Sequence, residues 1–225
     1  MVDATALRAP LVEAAAELGL ALTGPQRDAL LAYMALLQRW NATYNLTSVR
    51  DPAQMLTQHV VDCLAVIGPL HSQAGADRGA LRLLDVGSGG GLPGVVLALL
   101  FPAWQVTCVD AVGKKAAFIR QAAVELRLPN LHGEHARVEN LQVAPFDVIT
   151  SRAFASLDKF IALTEAHLTA KGIWMAMKGK IPSDEIAALP SNVTLFHVEQ
   201  LHVPGLNAER CLVWLRRQAP ERHSL

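Results

Sequence analysis

The segment 81–94, LRLLDVGSGGGLPG, constrains the fold more than any other part of the 225-residue sequence. A short apolar run, broken only by Arg82, leads into glycines at positions 87, 89, 90, 91 and 94, and an apolar stretch follows Pro93. This order predicts a β-strand, a glycine-rich turn and an α-helix, because glycine accepts positive φ and proline fits the first helical turn. Such a turn lets a ligand reach the free N–H groups of the helix. The segment therefore predicts a site for a nucleotide or a cofactor.

Two acidic residues narrow the choice of cofactor. Asp85 ends the first predicted strand, and Asp110 ends the next one, WQVTCVD. An acid at the second position can accept hydrogen bonds from both hydroxyls of a ribose. Read from Gly89, the loop matches the dinucleotide pattern G-x-G-x-x-G, and read from Asp85 it is D-x-G-x-G-x-G. From these residues alone, NAD and S-adenosylmethionine remain alternatives, since both carry a ribose.

The remaining patterns predict a single α/β domain with a helical extension. Apolar residues at helical spacing predict three helices in residues 1–70, which we interpret as an amino-terminal helical cap, and residues 71–80 are a predicted linker. From 81 to 217 strands and helices alternate, which predicts a doubly wound, mostly parallel sheet. The last two strands are joined too closely for a helical crossover, so an antiparallel edge strand is expected. Residues 218–225 are a predicted tail.

Composition excludes several classes of protein. The 20 basic and 20 acidic residues balance, so the chain is not a strongly basic nucleic-acid binder, although a local basic face is compatible with this balance. Three cysteines lie far apart without a C-x-x-C motif, so neither a zinc site nor a disulfide framework is expected. We find no signal peptide and no apolar run of membrane-span length. We therefore expect a cytoplasmic monomer that binds no metal and no membrane.

Five longer strings carry a resemblance to a known family. They are WNATYNLTSVRDPAQMLTQHVVDCL, DVGSGGGLPGVVLAL, ARVENL, SRAFASL and MKGK. The glycine loop with its aspartate resembles motif I of class I S-adenosylmethionine-dependent methyltransferases. Together the strings resemble the bacterial family of 16S rRNA guanine-N7 methyltransferases, also called glucose-inhibited division protein B, from about Leu20 to Leu215. The resemblance implies a Rossmann-like fold, S-adenosylmethionine as cofactor, and 16S rRNA as substrate within the 30S subunit or an assembly intermediate.

The resemblance also assigns site residues. In the family, cofactor contacts fall on positions that match Gly87, Leu92, Val138, Glu139 and Arg152, with the stretch 110–112 near the ribose and adenine. We expect Asp85 to face the amino group of the cofactor, directly or through water. The predicted cofactor residues are Asp85, Gly87, Gly89, Leu92, Asp110, Ala111, Val112, Arg137, Val138, Glu139 and Arg152.

The sequence at the fourth strand favours a ring nitrogen as the methyl acceptor. Methylation of a ring carbon needs a cysteine nucleophile, usually after proline, and the sequence has no Pro-Cys. Methylation of an exocyclic amine usually uses an Asn/Asp-Pro-Pro-aromatic motif, whereas this chain has Ser-Arg-Ala-Phe at 151–154. Guanine N7 carries a lone pair and no proton at neutral pH, so it needs alignment with the methyl group and no general base.

Arg152 is the predicted catalytic residue. It ends the fourth strand, and its planar set of donors can hold a guanine edge or a phosphate. The alternative is a surface arginine paired with Glu139 or Asp158. The predicted RNA contacts are Arg137, Arg152, Lys178 and Arg210.

Some residues receive a structural interpretation. His59 and Asp62 lie three apart on one predicted helix, and we interpret them as a hydrogen-bonded structural pair near the cofactor cleft. Trp40 and Tyr44 are interpreted as core aromatics rather than as a surface for stacking bases.

Two other functions stay open at this point. One is an NAD-dependent oxidoreductase, although no hydride-transfer acid is recognisable, and the other is a non-catalytic RNA-binding or ribosome-assembly factor.

Overall fold

The computed structural model describes residues 4–75, 79–152, 154 and 156–218. In these residues seven strands form one sheet, with the order β3-β2-β1-β4-β5-β7-β6. The strands are β1 (Arg82–Val86), β2 (Gln105–Asp110), β3 (Leu131–His135), β4 (Phe146–Ser151), β5 (Leu168–Lys178), β6 (Val193–Gln200) and β7 (Cys211–Arg217).

The sheet confirms the predicted doubly wound topology. Strands β1 to β5 are parallel, and β1 lies between β2 and β4, so the strand order reverses beside it. Strand β7 runs antiparallel between β5 and the edge strand β6, as the short connection between the last two strands predicts. The reversal beside β1 opens a crevice at the carboxyl ends of the strands, where ligands bind in open parallel sheets.

Helices cover both faces of the sheet. The helices are α1 (Ala4–Glu17), α2 (Gly24–Tyr44), α3 (Pro52–Met55), α4 (Asp62–Leu64), α5 (Ile67–Ala74), α6 (Gly94–Leu100), α7 (Gly113–Glu125), α8 (Leu157–Thr164) and α9 (Ser183–Ala187), with a π-helical turn at Leu56–Val61 and 3₁₀ turns at Val138–Asn140 and Glu165–His167. Helix α2 begins at a capping box between Thr23 and Gln26.

The amino-terminal helices share one hydrophobic core with the sheet. Leu30 and Leu37 of α2 belong to the same buried cluster as Val95 of α6 and Phe118 of α7. The Trp40 ring packs edge-on against Phe118 with ring centroids 5.5 Å apart, in agreement with its predicted core role. The same prediction for Tyr44 is wrong, because this side chain, at the end of α2, is 40% exposed. This packing fixes the helices over the glycine loop.

The third helix predicted within residues 1–70, from about Pro52 to Ile67, is not α-helical throughout. It divides into α3, a π-helical turn and α4, and α5 then extends into the predicted linker. Residues 76–78 of that linker and residues 219–225 of the predicted tail lie outside the described part of the chain. A π-helical turn inserts an extra residue into a helix and is frequent at functional sites, and this one lies beside the crevice.

Candidate active site

The glycine loop turns sharply between β1 and α6. Gly87, Gly89 and Gly91 have φ values of 67°, 57° and 82°, which L side chains rarely adopt. Gly94 is required for another reason, because a Cβ there would lie 2.2 Å from Cys108 Sγ. The glycines therefore allow both the turn and the direct packing of α6 on the sheet.

Asp110 holds the loop in this shape. Its Oδ2 accepts a hydrogen bond from the Gly89 N–H at 3.0 Å, and its Oδ1 accepts one from the Val112 N–H at 2.9 Å. Lys115 Nζ lies 3.5 Å from Oδ2. The carboxylate that was predicted to bind a ribose thus organises the backbone of the glycine loop.

Asp85 lies beneath the loop and is fully buried. Its Oδ2 accepts a hydrogen bond from the Gly94 N–H at 2.9 Å, and its Oδ1 has no partner among the described residues. Burial raises the pKa of Asp85 to about 7, and the hydrogen bond from Gly94 opposes this rise.

Three adjoining cavities follow the carboxyl ends of the strands. The inner cavity has a volume of about 410 Å³, the middle cavity about 190 Å³ and the outer cavity about 340 Å³. Gly87 lines both the inner and the middle cavity, and Arg152 lines both the middle and the outer one. The shared residues make the three cavities parts of one cleft.

The outer cavity holds a paired set of charges. Arg152 Nη1 lies 3.1 Å from Asp62 Oδ2, and Arg210 Nε lies 2.8 Å from Asp62 Oδ1. Lys178 Nζ lies 2.9 Å from Glu185 Oε2. Three cations thus face two carboxylates, which leaves this end of the cleft with an excess of positive charge.

His59 lies between the middle and outer cavities. Its Nε2 is 2.8 Å from Thr47 Oγ1, while its Nδ1 is buried with no partner among the described residues. Burial, and then the positive charge of Arg152, lowers the pKa of His59, so the imidazole is neutral at pH 7. The predicted pairing of His59 with Asp62 is wrong, because a π-helical turn places residues three apart on more divergent faces than an α-helix does.

The structure brings most of the predicted cofactor residues to the cleft. Asp85 and Val112 are the exceptions: Asp85 lies below the loop, and Val112 contributes its N–H to Asp110. The inner cavity is lined by Gly87, Asp110, Ala111, Arg137, Val138 and Glu139, and the middle cavity by Gly87, Gly89, Leu92 and Arg152.

The predicted RNA residues fall into two groups. Arg152, Lys178 and Arg210 line the outer cavity, whereas Arg137 lies at the inner cavity with 75% of its side chain exposed. The ion pair of Arg152 is with Asp62, so the alternative pairing with Glu139 or Asp158 is wrong.

Several lining residues were missed from the sequence. Phe154 and Leu163 line the inner cavity, and Thr47 lines the outer one. Asp62, which was predicted near the cleft only as a partner of His59, also lines the outer cavity. Phe154 belongs to the string SRAFASL, of which Ala153 and Ala155 lie outside the described residues. The helical cap supplies Thr47 and Asp62, and its position over the cleft has no local signal in the sequence.

No cluster of three or more His, Cys, Asp or Glu side chains within the described residues could hold a metal ion. Cys63, Cys108 and Cys211 are buried and free. Among the helices of this part of the chain, none is long and apolar enough to cross a membrane.

The strand order, with β7 antiparallel beside the edge, and the acid-flanked glycine loop define a class I S-adenosylmethionine-dependent methyltransferase. The fold is similar to that of a Burkholderia thailandensis 1,6-didemethyltoxoflavin-N1-methyltransferase (TM-score 0.56, 16% identity, 88% of this chain and 92% of that one). It is also similar to TrmN from Thermus thermophilus (TM-score 0.54, 23% identity, 69% and 48%).

Within this class, the chain belongs to the rRNA small subunit methyltransferase G family, GidB, whose model matches residues 26–213. Relatives called ribosomal RNA small subunit methyltransferase G support this membership. The protein of Paracidovorax citrulli is 58% identical over 224 residues, covering 96% of this chain and 92% of the relative. That of Leptothrix cholodnii is 60% identical over 209 residues, covering 93% and 95%.

Proposed function

We propose that this chain transfers the methyl group of S-adenosylmethionine to N7 of a guanine in 16S rRNA. The observation that carries the proposal is the continuity of the cleft. The residues predicted to bind the cofactor and those predicted to bind RNA line adjoining cavities, and Arg152 belongs to both sets. Family membership argues against the dinucleotide interpretation of the loop.

The residues of the inner and middle cavities fit the cofactor. Val138 and Leu163 offer apolar contacts suited to a purine, and Glu139 is a hydrogen-bond acceptor beside them. The loop at Gly87 and Gly89 leaves the backbone open to a ligand, and the unpartnered Oδ1 of Asp85 below it can bind an ammonium group through water. The bound cofactor supplies a methyl group already activated on its sulfonium.

The outer cavity is built for orientation rather than for proton removal. Both oxygens of Asp62 are occupied by arginines, so this carboxylate is not positioned to accept a proton from a substrate. His59 is neutral, but its Nε2 is already in contact with Thr47, and its Nδ1 is buried away from the cavity surface. Since guanine N7 has no proton to lose, alignment of its lone pair with the methyl group is sufficient. A site without a free general base therefore suits methylation of guanine N7 better than methylation of an exocyclic amine.

The charge of the outer cavity supports an RNA substrate. Arg152, Arg210 and Lys178 exceed the neighbouring carboxylates by one charge and can contact phosphates or the guanine edge. The guanine would enter unstacked, as bases read by proteins in single-stranded RNA are. We further propose that residues 1–70 form the substrate-side cap of the domain at 81–217. The protein would act as a cytoplasmic monomer on the 30S subunit or an assembly intermediate.

The proposal is tested by methyl transfer from tritiated S-adenosylmethionine to purified 30S particles and to stripped 16S rRNA. Mapping of the labelled base should place the methyl group at N7 of one guanine. Cofactor binding without transfer to either substrate would favour a non-catalytic assembly factor instead. Label at an exocyclic amine or at a ring carbon would contradict the assignment to N7.

A further inference from the structure

Asp62 joins two parts of the chain that are remote in sequence. It lies 90 residues before Arg152 and 148 residues before Arg210, and each of its oxygens binds one of the two arginines. Its side chain is 2% exposed, while the arginine side chains are 28% and 27% exposed at the cavity surface. A buried carboxylate thus anchors two arginine side chains that are mostly buried but reach the cavity surface.

The bonds restrict where the two guanidinium groups can lie. Arg152 Nη1 also donates to the Gln58 carbonyl at 3.3 Å, and Arg210 Nη1 donates to the Glu209 carbonyl at 2.9 Å. These contacts occupy only part of the five N–H donors on each side chain, so donors remain for a ligand. An arginine held through several bonds loses less entropy on binding than a free one.

We propose that Asp62 is a positioning residue, which fixes Arg152 and Arg210 as a pair that receives the guanine nucleotide in the outer cavity. This inference rests on the proposed function. Arg152 lies at the middle cavity and so faces the base, and Arg210 lies only at the outer cavity and so faces the phosphate. Asp62 touches neither ligand, and it acts through the arginines.

The charge of Asp62 also permits a role opposite to positioning, namely competition with RNA for the arginines, and the experiment separates the two roles. A carboxylate paired with two arginines also competes with an RNA phosphate for them. If competition dominated, removal of the charge would strengthen RNA binding. If positioning dominates, removal leaves two guanidinium groups misplaced, and a displacement of about 1 Å can cost about 100-fold in rate.

The test compares Asp62→Asn and Asp62→Glu with the wild-type protein in the methyl-transfer assay. For Asp62→Asn we expect kcat to fall by about 100-fold and KM for RNA to rise several-fold, while the Kd for S-adenosylmethionine, measured by calorimetry, rises by no more than the about threefold expected for loss of Arg152. Asp62→Glu keeps the charge but shifts it by one methylene, so it should fold and still lose most of kcat. Asp28→Asn is the matched control, since Asp28 pairs with Arg8 on the surface of the cap.

A double-mutant cycle separates positioning from a general loss of structure. In an Arg210→Met background, the substitution Asp62→Asn should cost clearly less in kcat/KM than it does in the wild type. Equal costs in both backgrounds, normal kcat in Asp62→Glu, or tighter RNA binding by Asp62→Asn would each overturn the inference.

A failure of the proposed function would look different. In that case the wild-type protein itself would transfer no methyl group to RNA. The inference would then be judged on RNA binding alone, in which positioning predicts weaker binding and a shallower salt dependence for Asp62→Asn.

Discussion

The Tyr33 hydroxyl donates a hydrogen bond to the Gly90 carbonyl at 2.5 Å, so a tyrosine of the amino-terminal helices holds the glycine loop of the cofactor site. Both groups are buried, and the side chain of Leu37 packs against the same glycine. A Cβ at Gly90 would lie 3.1 Å from Leu37 Cδ1. The helical cap therefore shapes the proposed cofactor site as well as the proposed RNA site.

Replacement of Tyr33 by phenylalanine should weaken cofactor binding. The substitution leaves the Gly90 carbonyl buried without a donor, which costs about 1–3 kcal/mol. Because the lost hydrogen bond destabilises the conformation of the glycine loop, the Kd for S-adenosylmethionine, measured by calorimetry, should rise by about tenfold. Tyr44→Phe, at the exposed end of the same helix, is the control and should bind as the wild type does.

Replacement of Asp110 by asparagine should disorder the glycine loop, because Asp110 holds the Gly89 N–H of that loop. Asparagine has one acceptor oxygen, so either the Gly89 N–H or the Val112 N–H must face an amide donor. We expect the Kd for S-adenosylmethionine to rise by about tenfold or more, equivalent to about 1.4 kcal/mol per factor of ten. Glu134→Gln, an exposed carboxylate on the neighbouring strand, should leave this Kd unchanged. An unaltered Kd in Asp110→Asn would show that the carboxylate does not organise the site.

The buried Asp85 should make stability depend on pH. Burial raises the pKa of Asp85 from its ordinary value of 3.8 to about 7, so the folded state holds its proton over a range in which the unfolded chain loses it. The contribution of Asp85 to the stability of the folded state is therefore fully present below about pH 4, and it is lost as the pH rises through about 7. Asp85→Asn cannot ionise, so it should gain stability relative to the wild type between pH 4 and 8, by at most about 4 kcal/mol.

Urea denaturation at pH 5 and pH 8 measures this difference. The control is Asp184→Asn, an exposed carboxylate whose replacement should shift both midpoints equally. If the difference in free energy of unfolding between Asp85→Asn and the wild type does not increase from pH 5 to pH 8, the effect of burial on the pKa of Asp85 is contradicted.

Replacement of Arg152 by alanine should separate binding from transfer. Its position at the junction of two cavities predicts a modest loss of cofactor affinity, about threefold, and a fall in methyl transfer of at least about 100-fold. The substitution also removes one of the two arginine partners of Asp62. Arg8→Ala is the control, because surface ion pairs contribute little. Full activity in Arg152→Ala would remove this residue from its proposed role.

The sheet and the glycine loop could be predicted because their signals are local. The apolar run before Gly87, the spacing of the glycines and the acid at position 110 each act within a few residues. The short connection between the last two strands likewise limited them to antiparallel pairing. Local propensity and chain connectivity therefore account for the fold class and for the place of the cofactor loop.

The outer half of the site could not be predicted in the same way. The contacts of Asp62 with Arg152 and Arg210 span 90 and 148 residues, and no local pattern indicates which charges will meet. The π-helical turn at Leu56–Val61 also changes which side chains share a face, so α-helical spacing suggested the wrong partner for His59. Tertiary packing of the cap on the sheet decides both features.

The most direct test of the account is mass spectrometry of 16S rRNA from a strain that lacks this gene, complemented with either the wild type or Arg152→Ala. We expect one N7-methylguanine to disappear from the deletion strain, to return with the wild-type gene and to stay absent with the variant. An unchanged content of N7-methylguanine in the deletion strain would contradict it.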